Sequence, residues 1–114
     1  MKGGRLQRGV EGEDAAIEYL ERRMKWKVVA RNYKSKAGEI DIIARGPDGI
    51  VFVEVKSRAA LDLFNPSLNV HWQQLKRIRR SAQLWLDRHA PTSSARIDVL
   101  GVSNGEVVEH YEDV

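Results

Sequence analysis

Four charged residues stand where charge is costly. Asp41, Glu54 and Lys56 lie inside the apolar runs EIDIIA (39–44) and IVFVEVKS (50–57), and Glu13 lies on an otherwise apolar helical stripe. Taking an ionised carboxylate out of water is strongly unfavourable unless a cation, hydrogen bonds or a metal compensates it. Carboxylates gathered closely also repel one another and hold protons more tightly. Two arrangements resolve the conflict: a divalent metal among the carboxylates, or a structural salt bridge from Lys56 to Glu54 or Asp41. Spacing alone leaves both open. Oxygen donors without thiolates suit Mg²⁺ or Mn²⁺, hard cations that keep several waters and complete their shell with phosphate oxygens.

These residues need elements to position them. Val10, Ala16, Ile17, Leu20 and Met24 recur at about 100° per residue, which predicts a helix over 6–24 with Glu13 on its apolar stripe. Strand-like runs follow at 27–33, 39–44 and 50–57, the last two joined by Gly-Pro-Asp-Gly at 46–49, the chemistry of a tight hairpin turn. Because side chains alternate along a strand, Glu39 and Asp41 share one face, as do Phe52, Glu54 and Lys56. A second helix is expected over 70–89, with Leu75, Ile78, Ala82, Trp85 and Leu86 as its stripe and Pro91 just beyond. Strands at 96–102 and 106–111 complete the chain. The expected fold is α/β: a helix, then a mixed central sheet of four to five strands flanked by a second helix, in αβββαβ order.

The 114 residues fit one domain, 1–114. There is no cysteine, which excludes disulfides, thiolate metal sites and cysteine nucleophiles. No apolar run approaches a membrane span, and the first residues lack the apolar centre of a signal peptide, so the expected location is cytoplasmic. Charge is uneven: Arg22 to Lys36 holds seven Lys or Arg and no acid, KRIRR at 76–80 adds four basic residues, and Glu106 to Val114 holds four acids and no Lys or Arg. A solvated surface is the plain explanation, and a polyanion-binding face the functional one. His71 and His89 are roughly 27 Å apart along one helix, too far to share a metal, and His110 is isolated in sequence. Neither a nucleophile elbow nor a Gly-rich phosphate loop is present.

The motifs carry a resemblance. Asp41 followed by Glu54-Val55-Lys56, with a helical Glu13 ahead of them, resembles the PD-(D/E)xK nuclease signature. More closely, Gly9 to Glu13 (GxxGE), RNY at 31–33, GEID at 38–41, FVEVK at 52–56 and RIDV at 96–99 resemble the bacterial YraN family, described as endonuclease-like and similar in motif order to Holliday junction resolvases. The resemblance runs from Gly9 to about Tyr111. Three positions depart from the pattern: the leading Pro of the nuclease signature is absent, Gln74 stands where relatives carry Lys, and Lys25 stands where a Gly often ends the first helix.

The resemblance implies a restriction-endonuclease-like core and metal-assisted hydrolysis of nucleic-acid phosphodiesters, with branched DNA as one substrate class. Asp41, Glu54 and the backbone carbonyl of Val55 would ligate Mg²⁺ (or Mn²⁺), with Glu13 as a third carboxylate ligand, directly or through water. Lys56 would orient the attacking water and stabilise transition-state charge. Arg58, Gln74, Lys76, Arg77, Arg80, Arg31 and Lys34 would hold phosphates, and Trp26, Tyr33 and Trp72 could stack on bases, although ordinary packing is the better explanation for each aromatic. Junction resolution would need a homodimer. Two rivals stand beside this reading: a non-catalytic nucleic-acid-binding module with a nuclease fold, and a scaffold in which the charged cluster is structural.

Overall fold

The computed structural model describes residues 12–57 and 72–114. Residues 12–18 form an α-helix that widens into a π-helical turn, Tyr19–Arg23, here together α1. Five strands cover the strand-like runs read above: β1 (Lys27–Ser35), β2 (Gly38–Gly46), β3 (Gly49–Ser57), β4 (Ala95–Ser103) and β5 (Glu106–Tyr111). The second helix, α2 (Trp72–His89), lies between β3 and β4. The sheet order is β1-β2-β3-β4-β5. β1, β2 and β3 form an antiparallel meander, β3 and β4 run parallel, and β5 returns antiparallel to β4. A parallel pair needs a crossover, and α2 lies in it.

The two helices bury their stripes on opposite faces of the sheet. Ala16 and Leu20 of α1 pack on Ile42, Ala44, Val51, Val53 and Leu100, with Trp26 closing the cluster. Ile78, Ala82 and Trp85 of α2 pack on Ile40, Ile43, Ile50, Phe52 and Ile97. The alternation of Ile50 and Phe52 with Val51 and Val53 divides β3 between these clusters, as a pleated strand requires. Phe52 and Trp85 meet edge to face at 5.9 Å. Each fully buried Leu, Ile or Phe contributes about 2 kcal/mol, so this two-sided core is the main source of stability.

Local chemistry sets the element ends. Lys25, which stands where a Gly often ends the first helix in the family resembled, takes the left-handed conformation after α1 (φ 63°). Trp26 N–H then reaches back to the Leu20 carbonyl at 2.9 Å, a bond one residue wider than the usual left-handed cap because the last turn is π-helical. The Gly46–Gly49 pair closes the β2–β3 hairpin on Pro47 and Asp48. Gly49 lies at φ +140°, and a Cβ there would stand 2.3 Å from the Ser94 carbonyl oxygen, so only glycine fits. The next residue, Ile50, donates its N–H to that same carbonyl at 2.9 Å.

β2 breaks its alternation near the charged residues. Ile40 and Ile43 are three apart yet belong to one cluster, and the ladder to β3 runs only from Gly46 to Ile42. Beyond Ile42 the side chain of Asp41 takes over the pairing: its Oδ2 accepts the Val55 N–H at 2.8 Å.

Candidate active site

Where β2 and β3 part, a cleft of about 370 Å³ opens on the α2 side, lined by Gly38, Glu39, Asp41, Glu54, Gln73, Gln74, Arg77 and Ile78. Asp41 and Glu54 share a hydrogen bond at its floor. Lys56, two residues along β3 on the same face, places Nζ 3.3 Å from Glu54 Oε2. Gln74, on the first turn of α2, donates Nε2–H to Glu54 Oε2 at 2.9 Å and accepts from Lys56 Nζ at 3.1 Å through Oε1.

This cluster is short of positive charge. Burial, with Asp41 beside it, pushes the Glu54 carboxyl up to about 8 despite Lys56. Burial also raises Asp41, against the opposing Val55 N–H, the hydrogen bond with Glu54 and the Lys56 charge. One cation facing two buried carboxylates leaves the pair holding a proton near neutrality.

Glu13 occupies a separate position. Its carboxyl is raised by burial and then by the charge of Asp41, but α1 covers the opposite face of the sheet, and Arg31 Nη2 lies 3.7 Å from Glu13 Oε1. With its side-chain amide turned to satisfy both groups, Asn32 donates to Glu13 at 3.1 Å. Among the described residues, Glu13, Asp41 and Glu54 do not bring three ligand atoms within 4.8 Å of one another. The structure therefore gathers Asp41, Glu54 and Lys56 and sets Glu13 behind them.

The predicted phosphate contacts divide. Arg77 lines the cleft, and Lys76 and Arg80 are exposed on α2. Lys34 is exposed on β1, whereas Arg31 is engaged by Asp14 at 3.0 Å as well as by Glu13. Gln74 is held within the carboxylate–lysine cluster rather than facing solvent alone. Arg58 and His71 lie outside the described residues, as does the side chain of Trp72. Trp26 is buried in the α1 cluster and Tyr33 packs against the α2 cluster, so packing accounts for both.

One cluster was not anticipated. His110, isolated in sequence, is not isolated in space: its Nδ1 meets the Tyr19 hydroxyl at 2.8 Å and its Nε2 meets Asp98 Oδ2 at 2.8 Å. Asp98 is fully buried and also accepts from Arg96 Nε at 3.0 Å, Arg96 Nη2 at 3.2 Å and the Asp113 N–H at 3.0 Å. Burial alone would raise this carboxyl, but His110, the Asp113 N–H and Arg96 together hold it below the usual carboxylate range. Asp98, His110 and Glu112 bring ligand atoms within 4.8 Å, a spacing that could hold a metal ion. The Arg96 guanidinium already occupies that place, 3.7 Å from Glu112 and forked on Asp98, so a divalent cation would have to displace an existing one. The only forewarning in the sequence is an acid inside the apolar run RIDVLGV.

The donor set of Asp41 and Glu54 does fit Mg²⁺ or Mn²⁺: two hard oxygen ligands short of cation, at the floor of a cleft with room for water and phosphate. The sequence matches the uncharacterised protein family UPF0102 over residues 12–102. The chain belongs to that family. A UPF0102 protein of Streptomyces griseus is 40% identical over 112 residues, covering 93% of each chain. One from Geobacter sulfurreducens is 38% identical over 96 residues, covering 83% of this chain and 74% of its own. One from Persephonella marina is 35% identical over 101 residues, covering 88% and 86%. Among the described residues no helix is long and apolar enough to cross a membrane.

Proposed function

We propose that this UPF0102 chain is a metal-dependent nuclease with a restriction-endonuclease-like core, hydrolysing nucleic-acid phosphodiesters, DNA foremost. The observation that carries the reading is the carboxylate pair Asp41–Glu54, buried, short of cation, open to a cleft, and followed two residues on by Lys56. A purely structural cluster would be compensated internally, as Asp98 is.

Asp41 and Glu54, with the Val55 carbonyl, would hold Mg²⁺ or Mn²⁺. A cation bound there supplies positive charge against the scissile phosphate and acidifies a nearby water. The Val55 N–H fixes one oxygen of Asp41 and so orients the other. Glu54, whose carboxyl is raised by burial and by Asp41 beside it, would have to be ionised to serve as a ligand, so cation binding there would release a proton. The Lys56 ammonium, anchored on Glu54, would orient the attacking water and donate to phosphate oxygens as negative charge builds. Glu13 polarises the site from behind, through Asp41. Arg77 at the cleft, with Lys76 and Arg80 beside it, offers cations to flanking phosphates without reading sequence.

The test is cleavage of labelled linear, single-stranded, flap and four-way junction DNA with Mg²⁺ or Mn²⁺, comparing the native chain with Asp41→Ala and Lys56→Ala. Metal-dependent cutting lost in both variants is the expected result. A native chain that binds these DNAs and cuts none of them, nor RNA, would instead establish a binding module.

A further inference from the structure

Gln74 was expected to touch phosphate, yet both ends of its amide are already committed inside the cluster. Lys56 can only donate, so Oε1 must face the lysine, which leaves Nε2 to donate to Glu54 Oε2. With the 3.3 Å contact of Lys56 to Glu54, the three side chains close a ring across the cleft, linking α2 to the floor of the sheet. An acceptor on a different element from Glu54 narrows the four-carbon freedom of the lysine.

We propose that Gln74 is a positioning residue for Lys56, fixing the ammonium beside Glu54 so that it already faces the cleft before substrate arrives. This deepens the nuclease reading and rests on it for the catalytic consequence. The ring also makes docking of α2 a condition of competence, because Gln74 is its only member outside β3.

The discriminating variant is Gln74→Met, similar in length and helix preference but without a strong donor or acceptor. Under steady-state cleavage it should lower kcat by about ten- to hundredfold, the cost of a misplaced catalytic group, with KM unchanged within about twofold. A second readout needs no turnover: acylation of Lys56 by a small anhydride, relative to the other lysines, mapped by mass spectrometry. Losing the hydrogen bond to Gln74 should raise that ratio about fivefold, the equivalent of one net hydrogen bond. An unchanged acylation ratio overturns the proposal. So does a fall in cleavage that follows only the loss of folded protein, measured by thermal unfolding. A native chain that cuts nothing removes the catalytic half together with the nuclease reading, and the acylation ratio then decides alone whether Gln74 holds Lys56.

Discussion

Two buried carboxylates sit on neighbouring strands, one register position apart, and their surroundings push them in opposite directions. Glu54 pairs with Val99 and Asp98 pairs with Val53, so the two acids point to opposite faces of the same parallel ladder. Asp98 receives four hydrogen bonds, two of them from an arginine, and its carboxyl is held low. Glu54 receives one lysine and one amide, faces a second carboxylate, and is pushed up to about 8. Burial is common to both; compensation is not. Asp98 is complete within the fold, whereas Glu54 is left short of positive charge, and the proposed metal site rests on that difference.

The sharpest way to break this comparison is activity. Asp41→Ala should reduce metal-dependent cutting by about a thousandfold or more, while Asp98→Asn should leave cutting per folded molecule unchanged. Equal losses in the two variants, measured on the same labelled DNA, would dissolve the distinction. Stability should show the reverse order. Asp98→Asn leaves Arg96, His110 and the Asp113 N–H poorly matched and should cost about 3 kcal/mol in urea unfolding at neutral pH. Because the folded carboxyl is held low, that contribution is present above the ordinary value of 3.8 and is lost as pH falls through the lower folded value. The penalty of the variant should therefore fade at strongly acidic pH.

Glu54 carries the opposite sign. Its folded value is raised, so its favourable protonated state is fully present below the ordinary 4.5 and is lost as pH rises through about 8. Without metal, Glu54→Gln should be near neutral at pH 5 and more stable than the native chain by about 2 kcal/mol at pH 8.5, read from urea midpoints. Millimolar Mn²⁺ should raise the native Tm by about 3 °C, more at pH 8 than at pH 6, and should not raise that of Asp41→Asn. The smallest effect is expected at the edge of the compensated cluster: Tyr19→Phe removes one hydrogen bond to His110 and should cost about 1 kcal/mol.

Much of this was legible in the residues. Charged side chains inside apolar strands marked Asp41, Glu54 and Lys56, because strand period and burial are local properties that the sequence displays. The hairpin at 46–49 was legible for the same reason: turn chemistry is written in adjacent residues. What stayed hidden was long-range. His110 joins Tyr19 across 91 positions, and no periodicity connects them. Gln74 could be placed on a helix but not given its partners, since its two bonds depend on how α2 docks across the sheet. Glu13 was correctly expected on the apolar stripe, but which face of the sheet that stripe would cover is a topological fact, and it sets Glu13 behind the pair.

The meeting of Gly49 with the Ser94 carbonyl acquires a further meaning from this arrangement. It lies five residues before Glu54, about 16 Å down the strand, far from any chemistry. Yet it fixes which residue of β4 stands beside Ile50, and so which acid looks into the cleft. Sliding β4 by one position would carry Asp98 to the α2 face and withdraw it from Arg96 and His110. A residue inserted between His89 and Ser94 can bulge outward harmlessly, whereas one inserted between Ser94 and Asp98 would exchange a structural acid for a misplaced one. A glycine at one end of the sheet thus acts as the gauge mark for the cleft at the other.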